Sequence, residues 1–273
     1  MKTIIISCNY NEGKSGKLEK CLLNLAKNKL SNTIICIIDN ASKDNSKDII
    51  KKFIDNNTID LAITLDKNIG KAKALNTLFR TALNRFKIES DDLVLHLDSD
   101  VSMYSNFIEE GEYCFLNYNS CELFISLGST DPNNFNFDNY HQFDLNATYN
   151  CQNSEYSYMP LCPNICGYIW TMKVSSFINV NLYRENLGKN GMSAIYGGDD
   201  GLLLYDLLIY FYQRLQKQVY VYMNKNKFHW HTNSDDQAYI EWKQKQNKYI
   251  QQRIFNNDKT ANDLLSDKGF YDD

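Results

Sequence analysis

Leu93-Val-Leu-His-Leu-Asp-Ser-Asp100 is the stretch from which the rest of this 273-residue chain can be interpreted. Its short apolar run predicts a buried strand over residues 92–97, which delivers Asp98 and Asp100 to its C-terminal end. In open α/β sheets, ligands bind at the carboxyl ends of the strands. Two acids fixed there can hold a hard divalent cation, although the same Asp-x-Asp pattern also occurs in solvated turns.

Three strand-and-helix units precede this stretch. Apolar runs predict strands over residues 3–8, 33–38 and 61–65, and helical spacing predicts helices over residues 18–30, from residue 42 onward, and over residues 71–86. Because the strands are apolar on both faces, the alternation predicts a mostly parallel α/β sheet flanked by helices. Right-handed crossovers place all strand C-termini on one edge, so we expect the four following turns to meet there.

The second half of the chain has a less regular pattern. Its expected elements are a helix over 106–116, strands over 123–127, 164–172 and 219–222, and a strongly apolar helix over 201–216. The stretch 128–160 is polar, Asn-rich and aromatic, with little periodicity, which is typical of a functional loop. The last forty or so residues are polar, with apolar residues spaced like a modestly amphipathic helix.

Composition excludes some classes of protein. A formal net charge of -4 argues against general nucleic-acid binding, which needs a basic face. The N-terminal apolar run is too short for a signal peptide, and no apolar run approaches the length of a membrane span. The 8 cysteines include no Cys-x-x-Cys pair, and Cys162-Pro-Asn-Ile-Cys166 lacks the second pair that a zinc site needs. We therefore expect a reduced, cytoplasmic protein.

Four turns in order resemble the nucleotide-sugar half of GT-A glycosyltransferases, especially glycosyltransferase family 2. They are Tyr10-Asn-Glu12, Ile38-Asp-Asn-Ala-Ser-Lys-Asp44, Asn68-Ile-Gly-Lys-Ala-Lys-Ala-Leu-Asn76 and Asp98-Ser-Asp100. The resemblance covers about residues 1–105, with a weaker match from Gly197 to His231. It departs from the family in the second turn, where two acids and Gly-Ser are usual, and at Cys8-Asn9, where Pro-Thr or a similar pair is common.

The resemblance implies a donor site in the first half. Its nucleotide-sugar-binding residues are expected to be Cys8, Tyr10, Glu12, Asp39, Asn68, Gly70, Lys71, Asp98 and Ser99. Asp39 offers the acceptor that the ring N–H of uracil needs, and Tyr10 can stack on the base or simply pack. The backbone N–H groups of the third turn, with the charge of Lys71, suit a phosphate at a helix start. In the family, the first acid of the Asp-x-Asp lies near the ribose and the waters of the metal, while the second binds the metal.

The second half resembles the family in an acidic turn and a histidine pair. Gly197-Gly-Asp-Asp200 is similar to the Gly-Glu-Asp element of inverting enzymes, which implies that Asp200 is the general base and Asp199 an acceptor-binding neighbour. Helix capping is the alternative, because carboxylates favour a helix N-terminus. His229 or His231 would complete a metal site with Asp98 and Asp100, and we favour His231; packed histidines are the alternative. His96 and His141 are assigned no role.

The resemblance implies a metal-dependent glycosyltransferase that uses Mn²⁺ or Mg²⁺ and a nucleotide sugar, with UDP-sugars expected first. The acceptor would be a glycan, a protein or a small molecule. We expect a catalytic domain over residues 1–234, with a nucleotide-sugar half over 1–105 and an acceptor half over 106–234, followed by a helical segment over 235–273. A retaining glycosyltransferase, a nucleotidyltransferase and an inactive sugar-nucleotide-binding module remain the alternatives.

Overall fold

One mixed sheet runs through the part of the chain that the structure describes. This computed structural model describes residues 1–129, 149–151, 155–160, 168–185 and 199–231. Within those ranges the strands are β1 (Thr3–Asn9), β2 (Thr33–Asp39), β3 (Leu61–Thr64), β4 (Leu93–Leu97), β5 (Val101–Ser102), β6 (Cys121–Ser129), β7 (Tyr149–Asn150), β8 (Tyr156–Pro160), β9 (Ile169–Lys173) and β10 (Tyr220–His231). The α-helices there are α1 (Lys17–Asn28), α2 (Ser46–Asp55), α3 (Lys71–Arg85), α4 (Phe107–Asn117), α5 (Val174–Asn179) and α6 (Asp199–Leu208).

The first four long strands form the parallel unit that the sequence predicts. Their order in the sheet is β3-β2-β1-β4, and β1 pairs in parallel with both β2 and β4. The helices α1 and α3 begin and end within about two residues of their predicted bounds, and α2 begins at Ser46, four residues after the predicted start. Because these strands are apolar on both faces, the sequence correctly predicted that they are parallel, that strands and helices alternate, and that the strand C-termini share one edge of the sheet.

Two apolar cores lie on opposite faces of this sheet. One face packs α3, α5 and α6 against side chains such as Ile4, Ile38 and Trp170. The other packs α1, α2 and α4 against side chains such as Ile5 and Leu95. The alternation along each strand sends neighbouring residues to different cores, which is why His96 and Leu95 have different surroundings.

The second half extends the same sheet with antiparallel pairs. β9 lies between β4 and β6 and is antiparallel to both, and β10 is parallel to β6 but antiparallel to β8. The predicted strand over 219–222 is too short, because β10 continues to His231 with a register shift between Met223 and Phe228. The predicted helix over 201–216 begins earlier, as α6, and finishes in a π-helical turn at Ile209–Arg214.

Several predicted features lie outside the described residues. They include most of the Asn-rich stretch 128–160, the pair Cys162 and Cys166, the glycines Gly197 and Gly198, and the segment 235–273. The division into a domain over 1–234 and a C-terminal segment stays a prediction. Among the helices described, none combines the length and apolar character that crossing a bilayer requires.

Candidate active site

The turns after β1 and β2 are joined by a buried polar cluster. The amide of Asn9 donates to Asp39 Oδ1 at 2.8 Å and to Ser42 Oγ at 3.1 Å, and the Ser42 backbone N–H donates to Asp39 Oδ2 at 3.1 Å. Ser42 Oγ also accepts from the backbone N–H of Asn11. Asp39 is fully buried. Its carboxylate holds these two turns together, in addition to the base-reading role expected for it.

The turns after β2 and β3 are joined by a pair of amide side chains. Asn40 Nδ2 donates to Asn68 Oδ1 at 2.9 Å, and Asn40 Oδ1 accepts from the Ile69 backbone N–H at 3.0 Å. The Gly70 N–H donates to Asn68 Oδ1 at 2.8 Å, with Gly70 at φ +84°, a conformation that favours glycine. Two of the N–H groups assigned to phosphate are therefore already bonded within the free protein, and α3 begins directly after them at Lys71.

The acids after β4 lie on a tight turn. The Asp98 N–H donates to the Tyr168 carbonyl at 3.0 Å, and the Val101 N–H donates to the Asp98 carbonyl at 3.1 Å. Ser99 and Asp100 therefore form the corner of the turn, where Ser99 is buried and Asp100 is partly exposed. Backbone hydrogen bonds hold both ends of this turn, so the main-chain positions of Asp98 and Asp100 are well defined.

Two cationic or hydrogen-bonding groups converge on one oxygen of Asp98. Lys71 Nζ lies 2.8 Å from Asp98 Oδ1, and His96 Nε2 lies 3.0 Å from the same atom. Burial alone would raise the pKa of Asp98, but the Lys71 ammonium and the bond from His96 outweigh it. The pKa of Asp98 is held well below its usual range, and this carboxylate is ionised at neutral pH.

Asp100 has the opposite electrostatic character. Burial, followed by the negative charges of Asp98 and Glu12, raises the pKa of Asp100 to about 6, against the smaller effects of Lys17 and Lys71. Lys17 Nζ lies 4.0 Å from both Asp100 Oδ2 and Glu12 Oε2. The corner thus holds more negative charge than its lysines balance, and an added cation would favour the ionised form of Asp100.

The remaining donor-side residues lie at the same edge of the sheet. Tyr10 is 41% exposed, whereas Cys8 is half-buried and packs against the core. Glu12 Oε2 accepts from Ser15 Oγ at 2.9 Å and faces Lys17. These positions match the predicted grouping of the first-half residues around one edge.

The end of β10 brings the histidine region to the acidic turn. Across the antiparallel pairing of β10 with β5, His231 is opposite Val101 and Trp230 is opposite Ser102. His229 is buried, its backbone N–H donates to Ser126 Oγ, and its ring meets Tyr168 edge-on at 6.0 Å. The His231 side chain is outside the described residues, but its backbone lies beside the residue that follows Asp100.

The acidic turn of the second half lies at the start of α6. Asp199 and Asp200 are its first residues, and their side chains are outside the described part of the chain. Further along α6, Asp206 Oδ2 accepts from Arg184 Nε at 2.8 Å, in a paired contact that also uses the second oxygen. This ion pair fixes α6 to the segment that follows α5.

Three residues of the site carried no assignment from the sequence. Lys17 contacts the acidic corner, Asn40 joins the second and third turns, and His96 contacts Asp98. His96 and Asp98 are two residues apart on an extended chain, and this spacing puts them on the same face. That signal was present in the sequence, whereas the Lys17 contact depends on the position of α1 in the folded chain.

A metal ion needs more ligands than the two acids provide. In the parts of the chain that the structure describes, no group of three or more His, Cys, Asp or Glu side chains is arranged to hold a metal ion. The excess negative charge at Asp100 and the hard oxygen donors nevertheless fit Mg²⁺ or Mn²⁺, which commonly combine one or two carboxylates with substrate phosphates.

Solved structures of glycosyltransferases share this fold. S. aureus TarS residues 1–349, in complex with UDP-GlcNAc, matches 96% of this chain and 69% of its own at a TM-score of 0.63 and 15% identity. The mannosyltransferase PcManGT from Pyrobaculum calidifontis, in complex with GDP-Man and Mn²⁺, matches 88% of this chain and 59% of its own at 0.56 and 15%. GalNAc-T7 with UDP, GalNAc and Mn²⁺ matches 86% of this chain and 44% of its own at 0.58 and 12%.

The sheet, with its acidic carboxyl edge, has the GT-A fold that these solved structures share. The sequence profile of glycosyl transferase family 2 matches residues 4–179, and the chain belongs to that family. The comparison with curated proteins found no match. The resemblance drawn from the four turns is confirmed, and so is the expectation of a glycosyltransferase.

Proposed function

We propose that this glycosyltransferase moves a sugar from a nucleotide sugar, with UDP-sugars the first candidates, to an acceptor hydroxyl in a reaction that requires Mn²⁺ or Mg²⁺. The observation that carries the proposal is the convergence of Lys71, Asp98 and Asp100 at one edge of the sheet. A divalent cation bound there neutralises the charge that develops on a departing diphosphate. The donors in the TarS and PcManGT complexes, UDP-GlcNAc and GDP-Man, support the class of substrate.

The donor's parts are assigned to the four turns. Tyr10, which is 41% exposed, would stack on the base, and Asp39 would accept the ring N–H of uracil. Lys71, at the start of α3, supplies a positive charge and a helix N-terminus for the diphosphate. Asp98 would lie near the ribose and the waters of the cation, and Asp100 would bind the cation.

The acceptor side of the proposal rests on the start of α6. Asp200 would remove the proton from the acceptor hydroxyl as it attacks the anomeric carbon, with inversion, and Asp199 would bind the acceptor nearby. A carboxylate in this role must lie within hydrogen-bond reach of the hydroxyl and opposite the leaving diphosphate. His231, beside the acidic turn through the β10 and β5 pairing, would complete the cation site.

A donor screen tests this function directly. Purified protein is incubated with UDP-, GDP- and dTDP-sugars, with Mn²⁺, with Mg²⁺ and with a chelator, and release of the free nucleotide is measured. We expect one nucleotide class to be turned over, only with a cation, and faster when the right acceptor is added. Chelator-resistant turnover would contradict the cation requirement. Release of pyrophosphate from a nucleoside triphosphate and a sugar phosphate would indicate a nucleotidyltransferase instead.

A further inference from the structure

His96 has one polar contact in the described part of the chain, and that contact is Asp98. The ring is fully buried and Nε2 lies 3.0 Å from Asp98 Oδ1, while Nδ1 has no hydrogen-bond partner among the described residues. Since Lys71 Nζ, which can only donate, contacts the same Oδ1 atom, that oxygen is an acceptor, and the contact with His96 requires a proton on Nε2. A buried imidazole whose donor is directed at a single carboxylate oxygen costs free energy unless that bond is made.

The orientation of the His96 ring is fixed by aromatic neighbours. Trp170 pairs with His96 across β9 and β4, and the two rings stack at 5.4 Å with 19° between their planes. Tyr183 meets the ring edge-on at 5.9 Å. The backbone of Tyr183 is in turn bonded in both directions to the amide of Asn76 on α3, at 2.8 and 3.1 Å. The ring therefore has little freedom to turn away from Asp98.

Lys71 binds the same oxygen of Asp98 but is held differently. Its side chain is 24% exposed and ends in a flexible ammonium, whereas the His96 side chain is completely buried. When a diphosphate arrives, the ammonium of Lys71 gains a second anion to contact. His96 has no such alternative among the residues described, so we expect its bond to Asp98 to remain if the lysine moves to the diphosphate.

We propose that His96 is a positioning residue that fixes the orientation of Asp98 toward the donor and its cation. The inference rests on the proposed function, since it assigns Asp98 and Asp100 to the donor and cation site. Hydrogen bonds to the ligands of a metal orient those ligands, and removing such a partner commonly weakens binding ten- to a hundredfold. A histidine that only fills the core would be replaceable by another aromatic ring without loss of binding.

Three variants separate these two roles. His96→Phe keeps an aromatic ring for the Trp170 stack and removes the donor. His96→Gln places an amide N–H at a similar reach and can restore the bond to Asp98. Val94→Ala, on the same strand and the same face, shortens a fully buried side chain and leaves His96 and Asp98 unchanged. Thermal melting establishes that each variant is folded before binding is measured.

Calorimetry of UDP binding with Mn²⁺ and with a chelator is the test. We expect His96→Phe to weaken Mn²⁺-dependent UDP binding by about tenfold or more and His96→Gln to recover most of that loss. Val94→Ala should lower the melting temperature without changing the affinity. Wild-type affinity in His96→Phe, or an equal loss in Phe and Gln variants, would overturn the proposal.

An NMR measurement keeps the proposal testable if His96→Phe does not fold. The imidazole nitrogen resonances of the wild-type protein should place the proton on Nε2, and Asp98→Asn should shift that resonance. A proton on Nδ1 alone would contradict the inference. Asp100→Ala separates the assignment of the cation site from the role of His96. If this variant keeps Mn²⁺-dependent UDP binding, the cation site itself is misassigned. If it abolishes binding while His96→Phe does not, only the role of His96 is wrong.

Discussion

The ammonium of Lys71 lies 2.8 Å from Oδ1 of Asp98, and this contact joins the start of α3 to the acidic turn after β4. It places a positive charge directly beside the predicted diphosphate site in the free protein. Lys71→Ala should weaken UDP binding by about tenfold, because the charge-assisted contact expected between the Lys71 ammonium and the diphosphate is lost. Calorimetry of UDP binding in the presence of Mn²⁺ measures the change.

The matched control is Lys67→Ala, which removes the same charge from an exposed position in the same turn. It should leave the affinity for UDP near that of the wild type. An equal loss in both variants would show that the overall charge of this edge, rather than the position of Lys71, sets the affinity.

Asp100 should reduce the stability of the metal-free protein at neutral pH. Its pKa rises from an ordinary 3.8 to about 6 on folding, so the folded state binds more protons than the unfolded state between those values. The stability that this proton provides is present at low pH and is lost as pH rises through about 6. Asp100→Asn should therefore raise the free energy of unfolding by about 2 kcal/mol near pH 7, with little change near pH 4.

Denaturant unfolding at several pH values checks this sign, and Asp44 supplies a control of opposite sign. Burial acts to raise the pKa of Asp44, but the hydrogen bonds from Ser46 and from the backbone of Lys14 outweigh it and lower the pKa. Asp44→Asn should destabilise the protein at neutral pH. If both variants lowered the free energy of unfolding, the charge imbalance inferred at Asp100 would be wrong.

Asp100→Asn should also lose Mn²⁺-dependent UDP binding despite its greater stability.

Asp200→Asn should abolish transfer and leave the donor site intact. A general base contributes about 10²- to 10⁴-fold to the rate, so kcat should fall by that order while the affinity for UDP is unchanged. Asp199→Asn serves as the neighbouring control and should raise the KM for the acceptor more than it lowers kcat. Full activity in Asp200→Asn would move the general base elsewhere.

The two histidines at the end of β10 should respond differently to substitution. His229 is buried against Tyr168, so His229→Ala should lower the free energy of unfolding by about 2 kcal/mol. His231 lies opposite Val101, beside the acidic turn, and His231→Ala should weaken Mn²⁺ binding by about tenfold with little effect on melting. Mn²⁺ titration and thermal melting of both variants distinguish the assignments, and the reverse pattern would favour His229 as the ligand.

The donor half could be predicted from sequence because its signals are local. Each strand there is a short run apolar on both faces, and the following turn carries polar residues that topology alone brings to one edge. The contacts of Asn40 with Asn68 and of Lys71 with Asp98 follow from that arrangement. Family resemblance added the chemical roles, which apolar periodicity cannot supply.

The parts that were missed depend on long-range pairing. β10 contains the polar run Asn224-Lys-Asn-Lys227, and a strand prediction based on apolar residues therefore ends before this run. Lys227 there pairs with buried Glu110 on α4, and the backbone finds its partners in β6, β8 and β5. The contact of His96 with Asp98 was missed for a different reason: a histidine within an apolar strand was interpreted as core before its face was considered.

The antiparallel pair between β5 and β10 has a consequence for how the enzyme is made. His231 and Val101 are neighbours in the sheet although nearly half of the chain separates them in sequence, and such distant pairs are slow to form. As the polypeptide leaves the ribosome, the parallel unit and its acidic turn emerge first, and β10 joins them only after residue 231 has been synthesised. The edge of the sheet that carries the acidic turn is therefore completed only after β10 has been synthesised and has paired with β5.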